Sequence, residues 1–254
     1  MRKEAANTDL EEIFSIKSAN EWIRGAKKKP VPKLLFGEFW LEGELAILFA
    51  DTGKGKSLLA VQIAESIARG RPIEPLEMTG RPQTVLYLDF ELSDKQFEMR
   101  YAAEHDPARG EYLRNHYVFS ERFKRIELKP EALSNDQSRS FEARLRHLIE
   151  PLIRETRARV LMIDNITYLK RTAESTRESA PLMKELKRLK SEFGLSVLVL
   201  AHTPKRDARR ALVVNDLQGS KVIANFADNI FAIGKASSIR RNDISSTSNL
   251  AAPS

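Results

Sequence analysis

The 254-residue sequence contains no cysteine, which excludes disulfide bonds and thiolate metal sites. Because a chain without thiols suits a reducing compartment, we expect a cytoplasmic protein. No apolar run approaches the roughly 18 residues that a bilayer span requires, so no membrane partner is expected. The charged start at Met1–Glu4 lacks a following apolar stretch, which predicts no signal peptide. The four histidines, at positions 105, 116, 147 and 202, do not have the spacing of zinc ligands.

The composition is that of an ordinary globular protein, with 42% hydrophobic and 30% charged residues. A chain of this length can form one α/β domain with a sizeable core and short extensions. The formal net charge of +7 favours an anionic partner such as nucleic acid. A solvated surface with extra lysine and arginine is the alternative, because charge alone does not identify a partner.

The two ends of the chain differ in character from its middle. Residues 9–25 have a helical apolar pattern, with Asp9 as the capping residue. The basic, proline-bearing segment 27–33 predicts a linker, since proline removes a donor and disfavours helix in the residue before it. Residues 236–254 are polar, and we expect them to be disordered. The predicted domains are an N-terminal helix and basic linker over 1–33, a core domain over 34–235 and the tail over 236–254.

Between these ends, short apolar runs alternate with helical patterns. The predicted strands are residues 45–49, 85–90, 117–119, 160–164, 195–200 and 229–233. The predicted helices are residues 56–69, 93–105, 136–157 and 180–193. Gly70 and Gly194 follow two of these helices as stop signals. Such alternation predicts an α/β fold with a mostly parallel central sheet flanked by helices and joined by right-handed crossovers.

The strongest motif is a glycine- and lysine-rich loop between a predicted strand and a predicted helix. Its backbone N–H groups and the helix N-terminus would point at a phosphate chain, which predicts ATP as the ligand. Lys56 would place its charge at the β- and γ-phosphates, and the Ser57 hydroxyl would bind Mg²⁺. The usual pattern has glycine where this chain has Ala50, and the alternative is a surface turn. The predicted nucleotide contacts are Ala50, Asp51, Thr52, Gly53, Lys54, Gly55, Lys56, Ser57 and Leu58.

Three polar residues follow other predicted strands at the same sheet edge. Asp164 can hold Mg²⁺ through water, or cap a turn. Glu91 can orient or deprotonate an attacking water, or be a solvated carboxylate. Asp89 competes for that role, but it lies within the strand, whereas the strand tip reaches the cleft. His202 can sense the γ-phosphate, or serve as a hydrogen-bonded structural histidine.

Two basic loops also leave the sheet on this side. The first contains Lys170 and Arg171, and the second contains Lys205, Arg206, Arg209 and Arg210. Both loops can grip the phosphate backbone of single- or double-stranded DNA, or form solvated surface. No aromatic residue is interleaved with the second loop, so stacking of bases is not supported there.

Taken in order, these motifs resemble RecA-like P-loop ATPases of the replicative-helicase branch. The resemblance is to RepA- and DnaB-type hexameric helicases and to small AAA-labelled ATPases of bacterial plasmids and mobile elements, and it covers residues 35–235. The segments that carry it are Ala50–Ser57, Tyr87–Ser93, Val160–Asp164, Leu200–Thr203 and Asp216–Ser220. It implies a RecA-like fold, Mg-ATP as the cofactor and a ring-forming homo-oligomer.

The resemblance also implies roles for particular residues. Glu91 matches the catalytic glutamate, Asp164 the Walker B aspartate, and His202 the motif that couples the γ-phosphate to DNA loops. Residues 205–210 match a pore-facing DNA loop, and 218–220 match a segment at the subunit boundary. The N-terminal helix resembles a linker helix that docks on a neighbouring subunit.

The region after the last predicted strand departs from the family pattern. Relatives continue there into a hairpin whose basic residues reach a neighbour's γ-phosphate, and such an arginine is worth roughly 10³–10⁵ in rate. The nearby candidates here are Lys235, Arg240 and Arg241. The resemblance predicts a DNA-dependent, helicase-related ATPase that acts in replication or mobilisation of plasmid or integrated DNA. The departure after the last strand predicts that its turnover is slow. The alternatives are an ATP-dependent regulatory switch and a small-molecule kinase, although no lid or acceptor motif supports the kinase.

Overall fold

The computed structural model describes residues 15–102, 116–127, 141–166, 179–204, 206–207, 210–217 and 220–234. The chain divides into two units, Met1–Pro32 and Lys33–Ser254. Within these residues, none of the helices has the length and apolar character needed to cross a membrane.

The first unit contains helix α1, Ala19–Ala26. Its start is fixed by a capping box, in which the Ser18 hydroxyl accepts the N–H of Glu21 and the Glu21 carboxylate accepts the N–H of Ser18. Residues 15–18 are not helical, so the helix predicted over 9–25 is wrong there, and its first part lies outside the described residues. The apolar pattern indicates a helical period, but it does not show where the helix begins, because the capping box at Ser18 determines that position.

The second unit contains the remaining described elements. Its strands are β1 Leu34–Phe36, β2 Trp40–Leu41, β3 Leu45–Ala50, β4 Val85–Asp89, β5 Phe123–Glu127, β6 Val160–Asp164, β7 Ser196–His202 and β8 Asn229–Ile233. Its helices are α2 Lys56–Arg69, α3 Asp94–Arg100, α4 Phe141–Thr156, α5 Ser179–Phe193 and α6 Ser220–Ala224, with a short 3₁₀ turn at Val214–Asp216.

Six of the strands form one parallel sheet in the order β5-β4-β6-β7-β3-β8, and β1 and β2 form a separate antiparallel pair. Because the six strands are parallel, their carboxyl ends lie at one edge of the sheet. The α/β fold with a mostly parallel sheet is therefore confirmed. Strand β7 lies between β3 and β6, and this position separates the loop after β3 from the tip of β6.

Alternate residues of the buried strands pack into two apolar layers, one on each face of the sheet. Leu45, Ile47 and Phe49 of β3 join the layer that includes α4 and α5, whereas Ala46 and Leu48 join the layer that includes α2. All residues of β3, β4 and β6 are buried, as expected for strands covered on both faces. The sheet is therefore covered on both sides, and its strand tips are held in fixed positions at the edge.

Two predicted elements near the far edge of the sheet are wrong. The strand predicted at 117–119 is neither helix nor strand, and the strand is β5, which begins at Phe123. Phe119 packs against Tyr101 and Phe97 instead, so its aromatic character serves a side-chain cluster. The helix predicted to reach residue 105 ends at Arg100 as α3, and residues 103–115 lie outside the described part. The predicted start of α4 at residue 136 also lies outside it.

Candidate nucleotide-binding site

The loop between β3 and α2 forms the floor of a cleft of about 470 Å³. Gly53 and Gly55 have φ values of 75° and 81°, which residues with a Cβ rarely adopt. Helix α2 begins directly after them at Lys56, so its N-terminal N–H groups face the cleft. The cleft is lined by Asp51, Thr52, Gly53, Lys54, Gly55, Lys56, Ser57 and Leu58, together with Glu91, Arg100 and His202. Ala50 does not line it, because this residue is buried within β3.

Lys56 and Asp164 form a buried ion pair at the base of the cleft. The Nζ atom of Lys56 lies 3.7 Å from Oδ1 of Asp164, and their side chains are 5% and 2% exposed. The hydroxyl of Tyr87 donates to Oδ2 of the same aspartate at 2.7 Å. The structure therefore brings together two residues that the sequence placed on separate elements.

A divalent cation fits the oxygen atoms at this position. Oδ1 of Asp164 is buried and has no hydrogen-bond partner among the described residues. Burial raises the pKa of Asp164, and the charge of Lys56 and the hydroxyls of Tyr87 and Ser57 oppose that rise. A buried carboxylate oxygen near a serine hydroxyl is the kind of hard oxygen ligand that Mg²⁺ prefers. In the described part of the chain no cluster of three acidic or histidine side chains forms a metal cage. Mg²⁺ at nucleotide sites usually takes its other ligands from phosphates and water.

Glu91 forms part of the cleft wall, where it contacts two polar side chains. Its Oε1 atom accepts a hydrogen bond from Nδ2 of Asn165 and lies 3.2 Å from Nε2 of His202. Asn165 and His202 also contact each other, at 2.9 Å. The contact with His202 is the main reason why the pKa of Glu91 is lowered, so the carboxylate is ionised at neutral pH.

Asp89, the alternative to Glu91 as the acid that activates water, has another role in the structure. Its carboxylate is 2% exposed and accepts the N–H groups of Glu91 and Leu92, each at 3.0 Å. The Nε of Arg125 donates to its other oxygen at 2.9 Å. Asp89 therefore shapes the turn after β4 and directs Glu91 into the cleft.

Sequence reasoning missed two residues of the site. Asn165 directly follows Asp164, and its amide contacts Glu91 and His202. Arg100 is the last residue of α3 and lines the cleft, and its side chain forms none of the hydrogen bonds or ion pairs seen among the described residues. A polar residue directly after a strand tip was a usable signal for Asn165. Arg100 is nine positions beyond Glu91, and only the fold shows that α3 returns to the cleft.

The predicted DNA contacts have mixed outcomes. Lys170, Arg171, Lys205 and Arg209 lie outside the described residues. Arg206 forms a bidentate ion pair with Asp51, and Arg210 forms an ion pair with Asp216. Both guanidinium groups are therefore engaged within the chain, and their role in DNA binding stays a prediction.

The contact between Glu91 and His202 has a testable consequence if Glu91 takes part in ATP hydrolysis, the activity that the sequence predicts. Replacing His202 by alanine removes the main interaction that lowers the pKa of Glu91, so this pKa rises toward its ordinary value. We expect the acidic limb of the kcat profile to move to higher pH in His202→Ala, measured as ATP turnover across pH. An unmoved limb, with a lower kcat at every pH, would show that His202 does not act through the pKa of Glu91.

Comparison with known proteins agrees with this geometry. A glycine-rich loop between a buried strand and a helix, with an aspartate on a nearby strand tip, defines a P-loop NTPase. A protein family described as AAA domain (AAA_25) matches residues 12–208, so the chain belongs to this family. The fold and the family together identify a RecA-like P-loop ATPase.

A solved structure with a similar fold is the KaiC-like protein PH0186 from the hyperthermophilic archaeon Pyrococcus horikoshii OT3. The two chains are 14% identical, the match covers 80% of this chain and 81% of that chain, and the TM-score is 0.53. This likeness concerns the fold. A search of curated proteins gave no match. The predicted RecA-like fold is confirmed, and membership of the helicase branch stays a prediction.

Proposed function

We propose that this chain binds Mg-ATP in the cleft and hydrolyses it with Glu91 as the group that orients and deprotonates the attacking water. The observation that carries the proposal is the position of Glu91. Its carboxylate is held by Asn165 and His202 at the wall of the same cleft whose floor is the phosphate loop. Phosphoryl transfer depends mainly on positioning and on charge stabilisation, and this wall and floor provide both.

Each group of the cleft has a distinct task in the proposal. The N–H groups of the loop and of the first turn of α2 bind the phosphate chain, and Lys56 adds positive charge beside it. Ser57 and Asp164 are the side chains that would hold Mg²⁺, which when bound neutralises charge on the β- and γ-phosphate oxygens. His202 lies at the tip of β7 and contacts Glu91, so it can report the state of the γ-phosphate end to the following loop.

Arg100 would stabilise the negative charge of the transferred phosphoryl group. It lines the cleft with Glu91 and has no ion-pair partner among the described residues, so its guanidinium is available. We expect Arg100→Ala to lower kcat by about 10- to 100-fold, less than the largest effects known for arginines at this step because Arg100 is exposed. Steady-state ATP turnover measures this effect.

The matched control is Arg122→Ala, which removes a guanidinium from the loop before β5, outside the cleft. Its turnover should equal that of the wild type. Equal rates in the two variants would remove Arg100 from the mechanism.

We further propose that turnover depends on DNA and that the protein acts, as a cytoplasmic homo-oligomer, in replication or mobilisation of plasmid or integrated DNA. The order of the motifs, which is similar to that of replicative helicases, supports this proposal, as does the net charge of +7. The loop after β7 supports it as well, because it follows His202 and contains further basic residues at 205, 209 and 210. Native mass measured with ATP present tests the assembly into a ring.

An ATP-dependent switch with little hydrolysis is the second candidate. The contacts of Glu91 favour it, because a carboxylate with a lowered pKa is a weaker base. The engagement of Arg206 by Asp51 also favours it, since this cation does not present itself to a phosphate backbone. In this function, ATP binding alone would change the loops around the cleft.

One assay distinguishes the two functions. ATP hydrolysis is measured without DNA, with single-stranded DNA and with duplex DNA, in low salt because phosphate contacts weaken as salt rises. A motor predicts at least a several-fold stimulation by one form of DNA. Tight ATP binding with negligible turnover under all three conditions would support the switch and contradict the DNA-dependent ATPase.

A further inference from the structure

A carboxylate lies inside the loop that is built to receive phosphates. Asp51 directly follows the buried end of β3 and lines the cleft floor. Hydrogen bonds lower its pKa, first from Arg206 and then from Thr203, so it is ionised at neutral pH. A phosphate chain in the cleft carries several negative charges, and a free carboxylate in its cradle would repel it.

Arg206 neutralises this charge through a bidentate ion pair. Its Nε donates to Oδ1 of Asp51 and its Nη2 donates to Oδ2, both at 3.0 Å. The hydroxyl of Thr203 donates to the same Oδ1 at 2.5 Å. Paired parallel bonds of this kind fix geometry as well as charge, because the guanidinium fork matches the carboxylate.

The remaining donors of Arg206 tie it to its own loop. Its Nη1 donates to the carbonyl oxygens of Asp207 and Arg210, at 3.1 and 2.7 Å. The side chain is only 9% exposed, which is unusual for a cation on a loop. An arginine on a solvated surface would not be buried, and its three side-chain nitrogens would not all donate hydrogen bonds within the protein. The fold therefore holds Arg206 in one position against Asp51.

We propose that Arg206 is a positioning residue for ATP binding, which cancels the charge of Asp51 and holds the phosphate loop in its binding shape. The inference rests on the proposed binding of ATP in this cleft and adds a residue that does not line it. In the structure this arginine contacts the phosphate loop, and its role in DNA binding stays a prediction.

A double-mutant cycle tests this proposal. The dissociation constant of a fluorescent ATP analogue is measured for the wild type, Arg206→Ala, Asp51→Asn and the double variant. We expect Arg206→Ala to weaken binding about tenfold, because an unpaired carboxylate then faces the phosphates. The double variant should return to within about threefold of the wild type, since the neutral amide that replaces the carboxylate leaves no charge to be cancelled. Asp51→Asn alone should bind at least as well as the double variant.

The ionic strength gives a second readout. The deficit of Arg206→Ala should shrink as salt rises from about 0.05 to 0.5 M, because an uncovered charge is screened. A purely structural role in the loop predicts a deficit that salt does not change and that Asp51→Asn does not repair. Either of those results would overturn the proposal.

Matched controls separate this inference from the function on which it rests. Arg188→Ala breaks a pair with Glu185 on α5, away from the phosphate loop, and should leave nucleotide affinity unchanged. Thermal melting of every variant identifies any that fails to fold, and Asp51→Asn, which keeps a similar shape, then decides the question through the double variant. If the wild type and Arg206→Ala bind equally, the inference is wrong and the proposed function stands. If the wild type binds no nucleotide, both are wrong.

Discussion

Replacing Lys56 by alanine should weaken ATP binding by roughly 100-fold or more. The side chain is buried at the start of α2 and directs its charge into the cleft, where it would meet the β- and γ-phosphates. Charge-assisted hydrogen bonds are worth about 1.5–3 kcal/mol each, and ~1.4 kcal/mol corresponds to a factor of ten in affinity. Loss of two such contacts accounts for the expected size. Titration calorimetry with a slowly hydrolysed ATP analogue and Mg²⁺ measures the effect.

The same substitution removes the partner of a buried carboxylate, so its effect on folding needs a separate measurement. Asp164 can take up a proton when Lys56 is absent, because burial already raises its pKa. We therefore expect thermal melting of Lys56→Ala to show a folded protein. Lys95→Ala, which removes a lysine from an exposed pair on α3, is the control. Undiminished ATP binding in Lys56→Ala would contradict the assignment of this loop as the phosphate cradle.

The second large effect is expected at Glu91. Replacing it by glutamine keeps the size of the side chain but removes the proposed base, so kcat should fall by about 10²–10⁴-fold. ATP affinity should change by less than about threefold, because the phosphate loop is untouched. Turnover and nucleotide binding, measured on the same preparation, separate the two quantities.

Glu98→Gln is the matched control for this experiment. Glu98 pairs with Lys95 and His116 on the surface of α3 and does not line the cleft. Its variant should turn over ATP at the wild-type rate. Hydrolysis that survives in Glu91→Gln would contradict the general-base role of Glu91.

Most of the sheet could be predicted because its strands are short apolar runs that alternate with helices. Strands β6 and β8 have the predicted bounds, and β3, β4 and β7 differ by one or two residues at their ends. The pair β1 and β2 was not predicted, because strands of three and two residues are too short to show a period. The error at 117–119 has a different cause, since aromatic residues there pack on α3 and its flank rather than in the sheet.

The site was predictable where chemistry follows directly from chain order. Lys56, Glu91, Asp164 and His202 each lie at the carboxyl end of a parallel strand or shortly after it, so a sheet brings them together without further information. The direction of the side chains in the loops could not be predicted in the same way. A run of basic residues after β7 indicated a charged loop, but the turn of Arg206 toward Asp51 depends on packing that no local pattern contains.

The position of β7 sets the distance between β3 and β6. Neighbouring strands lie about 4.8 Å apart, so a strand interposed between β3 and β6 puts their axes roughly 9.6 Å apart. Lys56 lies beyond the loop after β3, at the start of α2, and its side chain brings the ammonium group within 3.7 Å of Asp164 at the tip of β6. The tip of β7 lies at the midpoint, with His202 facing Glu91 and Thr203 facing Asp51. A displacement of the end of β7 would therefore change the contacts of Glu91 and of Asp51 at the same time, so the two carboxylates would respond together.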